Sequence, residues 1–283
     1  MVTISGNNSF FINRGVPRLE PHMLIAYGGL SADGFSSFPS YSYAKFFSNV
    51  TIPAGNTNTN IPIKFFHHIY IEYPVGFEIY KSARNCFIQK DALDLDRYMS
   101  LFMLRYAAVK YIFSYFVLKS EFIQSVNDIP NLQYQISCIP KDGSYPRPEI
   151  LIYELKNTLP RISVAKKILV AHDDDNVLNV MRSYKYDTEP IAVVDDVTAK
   201  ANNIKSIDYG DMPGVTHVHY KTPDKIAIDV NVKKDTILIV RDSFTPFLKV
   251  YCDGKQVNYF RVNMAFIGIN IGQEAKHVEL NYQ

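Results

Sequence analysis

Two histidines, His217 and His219, stand two residues apart in the segment VTHVHYK from Val215 to Lys221. On a strand that spacing puts both rings on one face, within reach of one metal ion. A closed site needs more ligands, and none lies nearby in the sequence, so the pair reads as two exposed side chains of a strand face. His67 and His68 are adjacent and send their rings to opposite sides of an extended chain. Cys86, Cys138 and Cys252 lie far apart with no CxxC pair. That spacing argues against a thiolate zinc site and allows at most one disulfide. No G-x-S-x-G elbow and no glycine-rich phosphate loop occurs, so neither serine hydrolysis nor nucleotide binding has its usual signature. The residues therefore offer no catalytic position, no metal-ligand set and no cofactor.

Candidate binding residues are of another kind. Phe35, Phe38, Tyr41 and Tyr43, with Asp33 and Lys45 beside them, have the makings of a carbohydrate platform: rings to lie against sugar faces and polar groups to take hydroxyls. The same stripe serves equally well in a core. Arg161 directly follows Pro160 at the start of a predicted strand. Its planar guanidinium suits a bidentate tie between two segments. The candidate binding set is Asp33, Phe38, Tyr41, Tyr43 and Arg161. The run Asp173, Asp174, Asp175 precedes a helical pattern, where carboxylates offset the positive end of the helix dipole.

The elements that must position these residues fall into two patterns. From Asn7 to about Asn60 the chain is rich in Ser, Gly, Asn, Pro and aromatics, which predicts loops and short helical pieces at Pro21 to Tyr27 and Ser40 to Ser48. Leu95, Met99, Phe102, Met103 and Tyr106 recur at steps of three and four, predicting a helix from Asp91 to Ala108. Short β-branched or aromatic runs follow at Val109 to Phe113, Tyr134 to Ile139, Glu149 to Leu155 and Ile162 to Val170, predicting a mixed sheet covered by helices. From Ile204 the helical period disappears. Strands are predicted at Val215 to Lys221, Lys225 to Val232, Thr236 to Asp242, Phe247 to Cys252, Lys255 to Phe260, Met264 to Ile269 and Ala275 to Tyr282. Asp253 and Gly254 mark a hairpin turn. The expectation is an α+β chain: a mixed α/β unit over 1–203, then an all-β, jelly-roll-like sandwich over 204–283.

The chain has 283 residues and is 47% hydrophobic, enough for two cores. Its formal charge is only +2, which removes the electrostatic signature of a nucleic-acid partner. The aromatic supply is 20 Tyr and 18 Phe with no Trp, rings suited to a core or a sugar-binding surface. The opening MVTISGNN lacks the basic and apolar regions of a secretory leader. The apolar stretch LFMLRYAAVKYIFSYFVL, Leu101 to Leu118, carries Arg105 and Lys110 and reads as a buried helix running into a buried strand.

The segment DTILIVRDSFTPFLKVYCDGKQV, Asp235 to Val257, resembles a region of the YfhO-like bacterial membrane proteins in which a strand leads through a Pro-containing corner into a V-D-G-K hairpin. NMAFIGI, Asn263 to Ile269, and AKHVELNY, Ala275 to Tyr282, are similar to that family's closing strands. Tyr153-Glu154 with Leu159-Pro160-Arg161, Leu104 to Ser114, and Gly34 with Pro39 to Phe46 resemble its upstream junctions. Two departures concern the corner: Pro246 and Phe247 stand where the family often has Gly-Trp, and the loop glycine is displaced to Gly272. The resemblance implies a soluble extracytoplasmic region, periplasmic or on the outer membrane face, of a polytopic protein laid out like polyprenyl-phosphate-sugar-dependent glycosyltransferases. It implies transmembrane helices of the parent protein as partners, a glycan or polyprenyl-linked sugar as ligand, and catalysis located outside these residues. The competing expectation is a stand-alone secreted or surface carbohydrate-binding protein.

Overall fold

A computed structural model describes residues 2–6, 41–50, 69–71, 79–81, 86–89, 92–97, 100–114, 117–127, 134–138, 151–184, 189–211, 213–222 and 225–282. The fold is α+β and dominated by strands in several sheets. It divides into two compact units, one of Met1–Phe38, Ser48–Arg105 and Val109–Thr158, the other of Pro39–Phe47, Tyr106–Ala108 and Leu159–Gln283.

The first unit carries β1 (Val2–Gly6), β2 (Ile69–Ile71), β3 (Ile79–Lys81), β4 (Cys86–Gln89), β5 (Leu93–Asp94), β6 (Tyr111–Ser114), β7 (Leu118–Lys119), β8 (Ile123–Ser125), β9 (Tyr134–Cys138) and β10 (Leu151–Leu155). Helix α1 (Tyr41–Val50) starts within the second unit's share of the chain, and α2 spans Leu101–Tyr106. The main sheet has the order β2-β1-β6-β10-β8, with β1 parallel to both neighbours and β10 antiparallel to both of its own. It is a mixed sheet, as the sequence predicts, but of the expected strands it takes only β6 and β10; β9 pairs with β4 in a separate sheet, and the run from Ile162 to Val170 belongs to the second unit. Alternation in β10 buries Leu151, Tyr153 and Leu155, the period-2 pattern of a half-buried strand. The Leu118 amide donates to the Tyr153 hydroxyl at 2.8 Å, and burial pushes that phenol up to about 12.

The helical period from Asp91 to Ala108 does not give one helix. It divides into a 3-10 turn at Leu95–Arg97 and the separate α2. The Ser100 amide donates to the Val50 carbonyl at 2.6 Å instead of back along its own segment. Its hydroxyl accepts from the Met103 amide at 3.5 Å, the position of an N-cap. Leu95, Met103 and Tyr106 are buried all the same, so the apolar spacing is used while the backbone breaks. After α2 the chain turns at Ala108, φ 59°, into β6, the helix-to-strand passage expected of the apolar stretch. Among the described residues no helix is long and apolar enough to cross a membrane. The piece expected at Pro21 to Tyr27, and Ser40 as a cap, lie outside the described residues.

The second unit carries β11 (Ile162–Val164), β12 (Lys167–Ala171), α3 (Asp174–Ser183), β13 (Ile191–Asp195), α4 (Asp196–Ala201), β14 (Ile207–Asp208), β15 (Gly214–Thr222), β16 (Lys225–Val232), β17 (Thr236–Val240), β18 (Leu248–Cys252), β19 (Lys255–Val257), β20 (Tyr259–Val262), β21 (Phe266–Ile271) and β22 (His277–Tyr282). A four-stranded sheet, β11-β17-β21-β20, and a five-stranded sheet, β15-β16-β22-β18-β19, form a sandwich. Its core interleaves Val164, Leu238 and Ile269 of one sheet with Ile228, Val250 and Leu280 of the other. A third sheet, β13-β12-β14, has β12 and β13 parallel with α3 as the crossover. β11 pairs with β17, Ile162 opposite Val240, so the unit's longest continuous stretch, Leu159–Gln283, holds the segment before Ile204 together with the strands after it.

Two apolar runs expected to be single strands each serve two sheets. Ile162 to Val170 breaks where the Ala165 amide donates to Ile237 and the Lys166 amide to Pro190. Lys255 to Phe260 breaks at Asn258, leaving β19 in the five-stranded sheet and β20 in the four-stranded one. The hairpin at Asp253 and Gly254, φ 48° and 78°, is the turn that an Asp-Gly pair favours between right-twisted strands.

Candidate functional site

Asp33 and Phe38, with Phe35, lie outside the described residues. Tyr41 and Tyr43 lie on α1, where Tyr43 is half-buried. Lys45 of the same helix pairs with Asp175 at 2.7 Å. Arg161 meets Asp242 in a bidentate pair, Nε at 2.7 Å and Nη2 at 2.6 Å, and the Tyr282 hydroxyl donates to the same carboxylate at 2.6 Å. This is the tie between segments expected of Arg161, with a partner 81 residues away. A second arginine, Arg241, escaped the sequence reading. It is buried and donates to the carbonyls of Tyr106 at 2.8 Å and Pro160 at 2.6 Å and to the Ser163 hydroxyl at 2.9 Å. Burial lowers its pKa to about 10.

The carboxylates at the ends of β12 and β13 serve the helices that follow. Asp173 caps α3, accepting from the Asn176 amide at 2.9 Å, and that bond holds its carboxyl below the usual range. This is the capping role expected for the Asp173 to Asp175 run. Asp195 caps α4 through the Thr198 amide at 2.9 Å and hydroxyl at 2.8 Å. Burial works against ionisation of Asp195, but the Thr198 bonds and the Arg261 charge bring its pKa down. Arg261 itself spans Asp174 at 2.6 Å and the Ser42 hydroxyl at 2.7 Å.

His217 and His219 share the exposed face of β15, as their spacing predicts. Their face is completed by residues remote in sequence. His219 Nε2 lies 3.0 Å from one oxygen of Asp229, and His277 Nδ1 lies 2.8 Å from the other. His277 Nε2 is 3.3 Å from Glu279. The hydrogen bond with His277 leads in lowering the Asp229 pKa; the same bond, then Glu279, raises that of His277 against burial. The array links three adjacent strands, β15, β16 and β22, by side-chain hydrogen bonds. Among the described residues no group of three His, Cys, Asp or Glu could hold a metal ion.

A groove of about 290 Å³ opens where α4, β14, β17 and β21 meet, all within the second unit. Its floor is apolar, with Ile168, Ile237 and Ile271. Its exposed rim is mostly polar, with Asn203, Lys205, Asp235 and Asn270 beside the exposed Ile207. The Tyr209 hydroxyl donates to the Asp235 carbonyl at 2.5 Å, which fixes the ring at the edge. Asp235 Oδ1 accepts from the Gln273 backbone amide at 2.9 Å; Asp235 Oδ2 and the side-chain carboxamide of Asn203 make no hydrogen bond among the described residues. At Gly272 an added Cβ would meet only Asp235 Oδ1 at 3.6 Å, so the groove is open there.

Local chemistry explains how the rim is placed. Helix α4 ends at Asn202, and Asn203 adopts φ 54°. The Asn203 amide donates to Lys200 and the Ile204 amide to Ala199, the double bond of a Schellman stop, which accepts asparagine in place of glycine. The signal for it is the sequence Asn202-Asn203-Ile204 after a helical run, which the sequence reading passed over. Compared with protein-family models, curated proteins and solved structures, the chain matches none.

Proposed function

We propose that this chain is a non-catalytic binding module whose ligand is a glycan, with the groove beside Tyr209 as its recognition site. The observation that carries the reading is the pairing of an isoleucine floor with a rim of amides, one carboxylate and one lysine. A sugar ring has the same two characters, an apolar C–H face and a girdle of hydroxyls. The volume lies near the lower end of small-molecule sites, about 300 Å³ upward, which suits one ring. Lys205 and Asp235 offset each other in charge, favouring a neutral sugar. The resemblance of Asp235 to Val257 to the YfhO-like region supports the wider proposal. In it the module is extracytoplasmic, is tethered to the transmembrane helices of a glycosyltransferase-like parent, and holds a glycan or polyprenyl-linked sugar for it. The competing reading is a stand-alone secreted or surface carbohydrate-binding protein.

The test uses methyl glycosides of glucose, galactose, mannose and N-acetylglucosamine, observed by NMR with the full chain. Saturable binding is expected, weakened about tenfold, or ~1.4 kcal/mol, by Asn270→Ala, and abolished by Gly272→Gln, which fills the groove. Binding that survives Gly272→Gln removes the groove from the account. Release of methanol in the same tube, lost on a point substitution, makes the chain a glycosidase. A panel without any binder overturns the glycan reading.

A further inference from the structure

The sequence allows one disulfide without saying which two of its three cysteines would make it. Strand register supplies an answer. β4 and β9 are antiparallel, and their register sets Cys86 opposite Cys138. Directly opposed residues of an antiparallel pair have Cα atoms about 4.5–5.5 Å apart and share one face of the sheet. That separation lies inside the roughly 4.4–6.8 Å that a disulfide spans. Cys252 has no such counterpart: on β18 it stands opposite Lys255 on one side and Val278 on the other. It is a free, half-buried thiol, and burial together with the Asp253 carboxylate raises its pKa, which lowers its thiolate fraction and its reactivity.

We propose that Cys86 and Cys138 form a cross-strand disulfide, made in an oxidising compartment, that joins β4 to β9. The step is thiol–disulfide exchange with a low-molecular-weight disulfide such as oxidised glutathione. One cysteine thiolate attacks a sulfur of the carrier, giving a mixed disulfide and releasing one carrier thiolate. The second cysteine thiolate then attacks the protein sulfur of that mixed disulfide and releases the other half of the carrier. The two protein thiols are oxidised, the carrier disulfide is reduced to two thiols, and the two protein protons pass to the carrier. Such bonds persist outside the cytosol and are rare within it. The proposal is independent of the groove and of the ligand.

The experiment equilibrates the full chain in a glutathione buffer poised as in an oxidising compartment, traps free thiols with iodoacetamide, and maps peptides by mass spectrometry. The expected result is one alkylated cysteine, Cys252, and a linked pair of peptides carrying Cys86 and Cys138, lighter than the reduced pair by two hydrogens. Cys252→Ser leaves the link in place, and Cys86→Ser exposes Cys138 to alkylation. Three alkylated cysteines in the unsubstituted chain, or a link that includes Cys252, overturns the proposal, and neither observation depends on a variant that folds.

Discussion

Asp242 joins the two sheets of the sandwich at one end through a single carboxylate. It takes the Arg161 guanidinium just before β11 in the four-stranded sheet and the Tyr282 hydroxyl at the close of β22 in the five-stranded one. Arg161 and Asp242 keep 25% and 18% of their side-chain surface exposed, so the pair lies between two regimes. Hydrogen bonds to buried charged groups contribute about 1.5–3 kcal/mol, while fully exposed ion pairs give roughly 0.2–1 kcal/mol. Screening by water therefore leaves about 1–2 kcal/mol for the bidentate pair, and the tyrosine bond adds ~1 kcal/mol. Asp242→Ala is expected to lower stability by about 2–3 kcal/mol, read from urea unfolding followed by circular dichroism. A double-mutant cycle with Arg161→Met isolates the pair and should return a coupling of about 1 kcal/mol. A loss under ~0.5 kcal/mol, the range of an ordinary surface substitution, together with no coupling, would show that the latch does not hold the sheets.

The histidine array makes a pH prediction. The folded pKa of His277 is raised, so its stabilisation is full below the ordinary imidazole value and is lost as pH rises through the folded one. Asp229 is lowered, so its share is present above the ordinary carboxylate value and lost as pH falls through the folded one. The array is then strongest between about pH 4 and 6.5. NMR titration should show the His277 pKa falling in Asp229→Asn, and an unmoved value refutes the assignment. At Gly268 a Cβ would lie 2.4 Å from Val262 Cγ1 and 2.8 Å from Phe260 Cε2. Gly268→Ala should cost about 1–3 kcal/mol by overpacking, and an unchanged melting temperature contradicts it. Asp195→Ala removes the cap of α4 and should cost ~1 kcal/mol, with amide exchange faster in the first turn; equal exchange in variant and parent refutes the cap.

What can be read from the sequence here is what neighbouring residues decide between them. Asp253 and Gly254 announce their turn because both positions need positive φ, and Asp173 announces its helix because its own carboxylate reaches Asn176 three residues on. Breaks inside apolar runs carry no such mark. Ala165 and Lys166 separate β11 from β12 without a glycine or proline, and both halves keep the same period, so only the change of partner from Ile237 to Pro190 reveals the boundary. The helix expected from Asp91 fails for a related reason, since its apolar spacing is satisfied by two shorter turns once Ser100 takes the carbonyl of Val50. The same limit governs the sites. Arg161 is recognisable as a bidentate donor from its chemistry, whereas Asp242 becomes its partner only when β11 lies against β17. The groove draws on segments from Ile168 to Gly272, and the one local clue among them is the asparagine pair that stops α4. Side chains that satisfy their own backbone can be found by reading along the chain, but a site assembled from strand ends is specified by register. That is why the polar face beside Tyr209, and the opposition of Cys86 to Cys138, appear only with the sheets in place.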